Sequence, residues 1–408
     1  MAFFNGPRRS ADLRPGRDRG VGIRRALHPA DLRGIAQLAA EGTIEATSIV
    51  EGIHGGVLSA VLPTTSRPVE RTRGLTGWIY RTVRWIVRLS GHGTAAVIQA
   101  IEQATGSVPP PDTDVRRRFL SILNGVLGDH LAETGNPLAR SFTLRTSDGS
   151  VFDSHASGAD TFIVFVHGLC LDDRSWMPSA DRTGHVRGLS EAVDGTPILA
   201  RYNTGRPVAA NGHLLSRHLE TLAGQGDTDS RIVLVAHSMG GLVVRSALAS
   251  ARQHSACWPR QVSDILYIGT PHRGAPLERI GVWVERSLRW SRFTEPFTAL
   301  TGMRSQGIQD LHSGAGPAGL SPDRGALPSA PPTSRRLYVA GDLAPGSPAS
   351  ESVGDGLVPV SSALDRPGDA RGDGRNVFPG VGHFDLLHDP TVTRYLANWL
   401  RGRAGSDS

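Results

Sequence analysis

From about residue 140 onward the chain alternates short apolar runs with longer stretches of helical spacing. Thr161 to Val166 (TFIVFV) and Ile232 to Ala236 are short and almost wholly apolar, the pattern of strands covered on both faces. Ile198 to Tyr202, Ile265 to Ile268, Leu337 to Ala340 and Val377-Phe378 continue the series. Helical patterns fall between and after them, at Gly212 to Leu222, from Gly240 to about Ala249, and at Thr391 to Leu400. Two short segments flanking Asp148-Gly149 predict a hairpin at the start, Ser141 to Arg145 with Val151 to Asp153. Alternation of this kind predicts an α/β fold, a mostly parallel sheet with helices on both faces. Ligands in such sheets bind beyond the carboxyl ends of the strands.

Upstream the pattern changes. Residues 28–137 read as a helical region, with Leu32, Ile35, Ala36 and Ala39 at helical spacing and Pro109-Pro110-Pro111 as a rigid spacer. Within it the segment from Gly74 to Leu89 sets Arg81, Arg84 and Arg88 on one face and Ile79, Val83 and Ile86 on another. Such a helix either covers its own domain or lies in a membrane interface. Residues 1–27 carry seven arginines among Pro and Gly and read as a basic tail.

Composition narrows the class without naming a chemistry. The chain has 408 residues, 39% hydrophobic and 20% charged, normal for a globular protein with room for one large domain and extra material. Its formal charge of +6 is carried by arginine alone. The charge is scattered and no binding motif accompanies it, so nucleic acid is not an expected partner. The two cysteines, Cys170 and Cys257, define neither a disulfide framework nor a metal site. No metal or cofactor is expected, since no H-E-x-x-H, P-loop or dinucleotide fingerprint occurs. With no signal-peptide pattern and no spanning run, the expected location is the cytoplasm, with peripheral membrane contact through the 74–89 segment as the sharper alternative.

The chemistry concentrates at Arg231 to Arg245, RIVLVAHSMGGLVVR. A buried strand meets a tight turn with Ser238 at its tip, and Gly240-Gly241 opens an apolar helix. This is the arrangement of a nucleophile elbow, in which a strained backbone lifts the serine hydroxyl clear of the sheet. The flanking chains pass close together, so the positions two before and two after the serine must be small; here they are Ala236 and Gly240.

At these residues the chain resembles the α/β-hydrolase superfamily, and within it the lipases and esterases with A/G-H-S-M-G-G. The resemblance covers residues 138–404 and implies a triad in the order Ser, acid, His. It makes Ser238 the nucleophile and a late histidine its base, His383 in the loop FPGVGHFDLL, with His388 the alternative. The acid is Asp355, in the stretch SVGDGLVPV, or Asp342, which follows the preceding strand. An oxyanion hole needs backbone N–H groups aimed at the substrate oxygen. One comes from Met239, and by resemblance to lipases with an H-G motif the second comes from Leu169 after His167-Gly168, with Cys170 the alternative. His167 reads as a structural histidine at the pocket. Gly269 to Gly274 resembles G-T-P-H-x-G, so Thr270, Pro271 and His272 are expected at the pocket wall beside Gly168 and His237. An insertion at about 275–326 holds Trp283, Trp290, Phe293 and Phe297 and reads as a lid or as a structural excursion. The resemblance implies hydrolysis of carboxylic esters of lipid or other apolar acyl groups. A thioesterase or amidase would use the same residues, and an inactive adaptor on this fold is the reading from another class.

Overall fold

The computed structural model describes residues 30–41, 112–153, 159–177, 184–224, 230–288, 305–314, 334–365 and 373–402, with the single positions 43, 87, 93, 96, 99 and 100 besides. The basic tail lies outside these residues, as do the 74–89 segment apart from position 87 and, of the insertion, residues 289–304 and 315–326. By its contacts the chain divides into two units, Met1–Arg116 with Gly135–Leu138, and Arg117–Thr134 with Ala139–Ser408. In the first, residues 30–41 are helical and Arg116 clasps the buried Asp31 with both ends of its guanidinium, at 2.8 and 2.7 Å. The second unit takes in Arg117–Thr134, a stretch that the apolar pattern assigned to the upstream helical region.

The second unit is built on a seven-stranded sheet: β1 (Thr143–Arg145), β2 (Thr161–Val166), β3 (Thr196–Arg201), β4 (Arg231–His237), β5 (Val262–Ile268), β6 (Arg335–Asp342) and β7 (Asp373–Pro379). They lie in the order β1-β3-β2-β4-β5-β6-β7. Only β1 runs antiparallel, against β3; every other pairing is parallel. The predicted hairpin reduces to β1 and a single bridge between Arg145 and Val151. The strand order reverses direction about β2, the first strand laid down in the parallel sheet, and the crevice for a ligand is expected at such a point.

Helices close both faces. One core joins Ile163, Phe165 and Val235 of the sheet to Leu189 of the helix His185–Val193 and Leu396 of the helix Pro390–Leu400. The helices Val208–Ala223 and Met239–Gln253 pack together elsewhere, with buried Leu215 and Leu219 on one and Val243 and Ala247 on the other. The observed strands run further than the apolar runs because their amino ends carry ion pairs. Asp264, fully buried on β5, is held by Arg231 of β4 and Arg335 of β6, both at 2.6 Å. The helix His185–Val193 has no counterpart in the apolar pattern, since only three of its nine positions are buried.

Candidate active site

Ser238 sits between β4 and the helix Met239–Gln253, at φ 55° and ψ −127°. A side-chain-bearing residue at positive φ is strained, and the surroundings must over-determine it. They do so here: the Ser238 N–H donates to Ile268 O at 2.9 Å, and its carbonyl accepts from Gly241 N–H at 3.0 Å. The small-residue requirement is explicit at Gly240. A Cβ there would stand 2.2 Å from Val166 O and 2.6 Å from His167 O, so the turn fits beneath the end of β2 only without a side chain.

The loops after β6 and β7 bring an acid and an imidazole together. His383 Nδ1 lies 2.7 Å from Asp355 Oδ2, and both side chains are buried. The other oxygen, Asp355 Oδ1, accepts the N–H groups of Leu357 at 3.0 Å and Val358 at 2.7 Å, which fixes the carboxylate plane. The two loops are also joined through their backbones, His383 N–H donating to Asp355 O at 2.9 Å. Asp342 is engaged elsewhere. Its Oδ1 accepts Ala344 N–H at 2.9 Å and its Oδ2 takes the hydroxyl of Ser350, so this carboxylate closes the turn after β6. His388 follows a short 3-10 turn, Asp385–Leu387, and its N–H closes that turn on Asp385 O.

Ser238 and His383 line one small cavity together with Gly168, Leu169 and His237. Among the described residues no hydrogen bond joins Ser238 Oγ to His383. The rest of the wall is apolar: Leu171, Trp283, Leu311, Leu357 and Phe384. Trp283 and Leu311 come from the two described helices of the insertion, Leu277–Leu288 and Gln306–Ser313. Trp283 stacks on Phe384 at 5.7 Å, and Phe384 meets the His383 ring edge-on at 5.4 Å. Of these apolar residues the sequence pointed only to Trp283, as part of the insertion. Phe384 could have been suspected from its place beside His383; Leu171, Leu311 and Leu357 carry no signal that separates them from core leucines.

Leu169, one of the expected oxyanion donors, lines this cavity, and Met239 directly follows Ser238 at the start of the elbow helix. Cys170 N–H is spent on Thr204 Oγ1 at 3.1 Å. Burial holds the Cys170 thiol well above its ordinary pKa, and neither cysteine is bonded to the other.

Four histidines other than His383 are held in structural contacts. His237 is buried, its Nε2–H donates to His383 O at 3.0 Å, and its ring lies 4.7 Å from that of His383. Burial, followed by the nearby His383, holds it neutral with a pKa well below the usual range. His167 stacks on Tyr202 at 4.3 Å, donates from Nδ1 to Gly168 O at 2.9 Å, and is lowered by burial to about 4. His185 bridges Thr393 and Leu386 O, each at 2.7 Å. His272 accepts at Nδ1 from Arg245 of the elbow helix, at 3.1 Å.

This last contact corrects the expected pocket wall. Thr270, Pro271 and His272 do not line the cavity, and neither does His167. The Gly269–Gly274 loop turns instead against the elbow helix, where Thr270 packs on Gly241 and His272 on Arg245. The wall they were expected to form is built by the insertion and by the residue after His383.

Residues 159–285 match the family model described as the PGAP1-like alpha/beta domain. No curated protein matches the sequence. Among solved structures, the mature form of Bacillus licheniformis lipase BlEst2 is similar at 17% identity, over 64% of this chain and 98% of its own, with a TM-score of 0.41. A thermophilic esterase from Thermogutta terrifontis is similar at 18% identity, over 65% of this chain and 93% of its own, with a TM-score of 0.35. The esterase RhEst1 from Rhodococcus sp. ECU1013 is similar at 16% identity, over 63% and 97%, with a TM-score of 0.36. A sheet ordered β1-β3-β2-β4-β5-β6-β7, with helices on both faces and a serine at positive φ on the turn after β4, gives the part of the chain from Ala139 onward an α/β-hydrolase fold, and the family match spans that turn.

Proposed function

We propose that the chain is a serine hydrolase that cleaves carboxylic esters of lipid or other apolar acyl groups. One observation carries the reading: an imidazole hydrogen-bonded to a buried carboxylate at 2.7 Å opens into the same cavity as a serine held at positive φ. Ser238 Oγ attacks the acyl carbon and gives its proton to His383 Nε2. Asp355 accepts from His383 Nδ1–H and stabilises the imidazolium that forms. In sites of this kind the serine–histidine bond tightens in the substrate complex. The N–H groups of Leu169 and Met239 take the charge that develops on the carbonyl oxygen. His383 then returns the proton to the leaving alcohol, and a water activated by the same imidazole releases the acyl group from Ser238.

The apolar wall of Trp283, Phe384, Leu171 and Leu357 supports an acyl chain as the group that fills the cavity. A fluorophosphonate probe tests the reading directly. The folded protein is expected to be labelled at Ser238 and to hydrolyse p-nitrophenyl esters, and Ser238→Ala is expected to lose both. A folded protein that the probe leaves unmodified overturns the proposal and favours an adaptor role.

A further inference from the structure

The helix Asp114–Glu133 precedes the elbow, the acid and the base in the chain, and no motif marks it. Its residues from Arg117 on nonetheless belong to the hydrolase unit. Every position from Phe119 to Gly128 is buried, and two of them are the glycines Gly125 and Gly128. Glycine is a poor helix former, so a glycine inside a buried helix points to a close neighbour. At Gly125 that neighbour is Cys170: a Cβ would stand 2.1 Å from its Sγ and 3.1 Å from both its N and its Cα. At Gly128 it is Asn203, whose Nδ2 donates to Gly128 O at 2.7 Å. Between the two glycines the helix departs from helical geometry at Leu127, φ −124° and ψ 16°.

Cys170 directly follows Leu169 in the chain and is itself at positive φ, 55°. Its N–H is held by Thr204 Oγ1, on the loop after β3, at 3.1 Å. The helix in turn is anchored by the insertion, since Gly125 O accepts Ser305 Oγ at 2.7 Å. Cys170 is therefore gripped both by Thr204 and by the bare Cα of Gly125. Its held backbone fixes the Leu169–Cys170 peptide and so anchors one end of Leu169, whose own N–H lies in the next peptide back, Gly168–Leu169.

We propose that this helix, through Gly125, positions the oxyanion loop, so that a length of chain ahead of the hydrolase motifs sets the aim of the Leu169 N–H. The proposal rests on the reading of Leu169 and Met239 as the oxyanion donors. Gly125 and Thr204 act through Cys170 and touch no substrate; they are positioning residues. A donor swung off its target weakens transition-state binding while ground-state binding is retained.

The test compares wild type, Gly125→Ala and Gly125→Ala/Cys170→Gly in the full chain on a p-nitrophenyl ester, with a trifluoromethyl ketone as tetrahedral-adduct inhibitor. Gly125→Ala is expected to lower kcat by about tenfold or more with KM within about twofold, and to raise the inhibitor Ki by the same factor. Removing the Cys170 side chain in the double variant gives the new methyl room and is expected to restore most of the kcat. Where Gly125→Ala does not fold, Thr204→Val, which deletes the acceptor of Cys170 N–H without changing shape, is held to the same kcat, KM and Ki expectation. A folded variant with unchanged kcat and Ki overturns the positioning role. A wild type that is neither labelled by fluorophosphonate nor active overturns the hydrolase reading and this proposal with it, and that failure is visible before any variant is made.

Discussion

Two aspartates stand near the carboxyl end of β6, and their different duties are settled by which hydrogen bonds each already makes. Asp342 is satisfied by Ala344 and Ser350, whereas Asp355 keeps one oxygen for His383. Asp355→Asn is expected to lower kcat by about 10³–10⁴-fold, because an amide cannot stabilise the imidazolium and can favour the wrong tautomer. Asp342→Asn is expected to stay within about tenfold of wild type, its cost falling on the turn it closes. Steady-state kinetics on one ester read both, and equal losses would undo the assignment. The sharp turn at Ser238 was legible from sequence because an elbow is local, its constraints falling within a few residues of Ser238. The carboxylate that meets His383 was not, since both candidates lie at or after the end of the same strand and only the path of the Gly354–Val358 turn decides between them. The pocket role expected of His272 failed for a related reason. A histidine in a loop after a strand can face either way, and Arg245 of the elbow helix holds this one out of the cavity.

At the scale of elements, the apolar runs located the buried centres of the strands but not their ends. Charged residues at the amino ends of β4, β5 and β6 form a cluster about Asp264 that no hydrophobic period reveals. Asp264→Asn leaves two arginines without their counter-charge and is expected to destabilise the fold by about 2 kcal/mol, since both guanidinium groups remain partly solvated. The urea midpoint measures this, with the denaturant slope unchanged. On the helix Leu277–Leu288, Trp283 stacks on Phe384 in the wall of the cavity that Ser238 lines, where under the proposed function both would bound an acyl chain. Trp283→Ala is expected to shift the ratio of kcat/KM for long over short p-nitrophenyl esters upward by about tenfold. A chain-length profile that merely falls in parallel for all esters would remove Trp283 from the specificity wall.

At the scale of the molecule, buried neutral histidines tie the stability of the second unit to pH. His167 and His185 are held at about 4 by burial, against an ordinary 6.5, and His237 and His272 are also lowered. Their folded pKa values lie below the unfolded ones, so between about pH 4 and 6.5 the unfolded chain binds more protons. Stability is then complete above about pH 6.5 and falls as pH drops toward 4, by up to about 1.4 kcal/mol per unit for each such histidine. Urea unfolding at pH 7.5, 6 and 5 is expected to show a falling midpoint, and a midpoint that rises on acidification would contradict the burial of these rings.

The chain by itself determined the fold class and the position of the sharp turn at Ser238. Both follow from short-range facts, the period of apolar residues and the steric demand of one sharp turn. The tertiary structure alone decided which acid meets His383, which side chains wall the cavity, and that the helix from Arg117 packs against the loop after β2. Each of these joins residues that lie far apart in the chain, Asp355 with His383, Trp283 with Phe384, Gly125 with Cys170, and only sheet order and close backbone contact bring them together. Gly125 shows the difference most directly: in the sequence it is a weak point in an ordinary helix, and in the fold it is the space into which Cys170 fits.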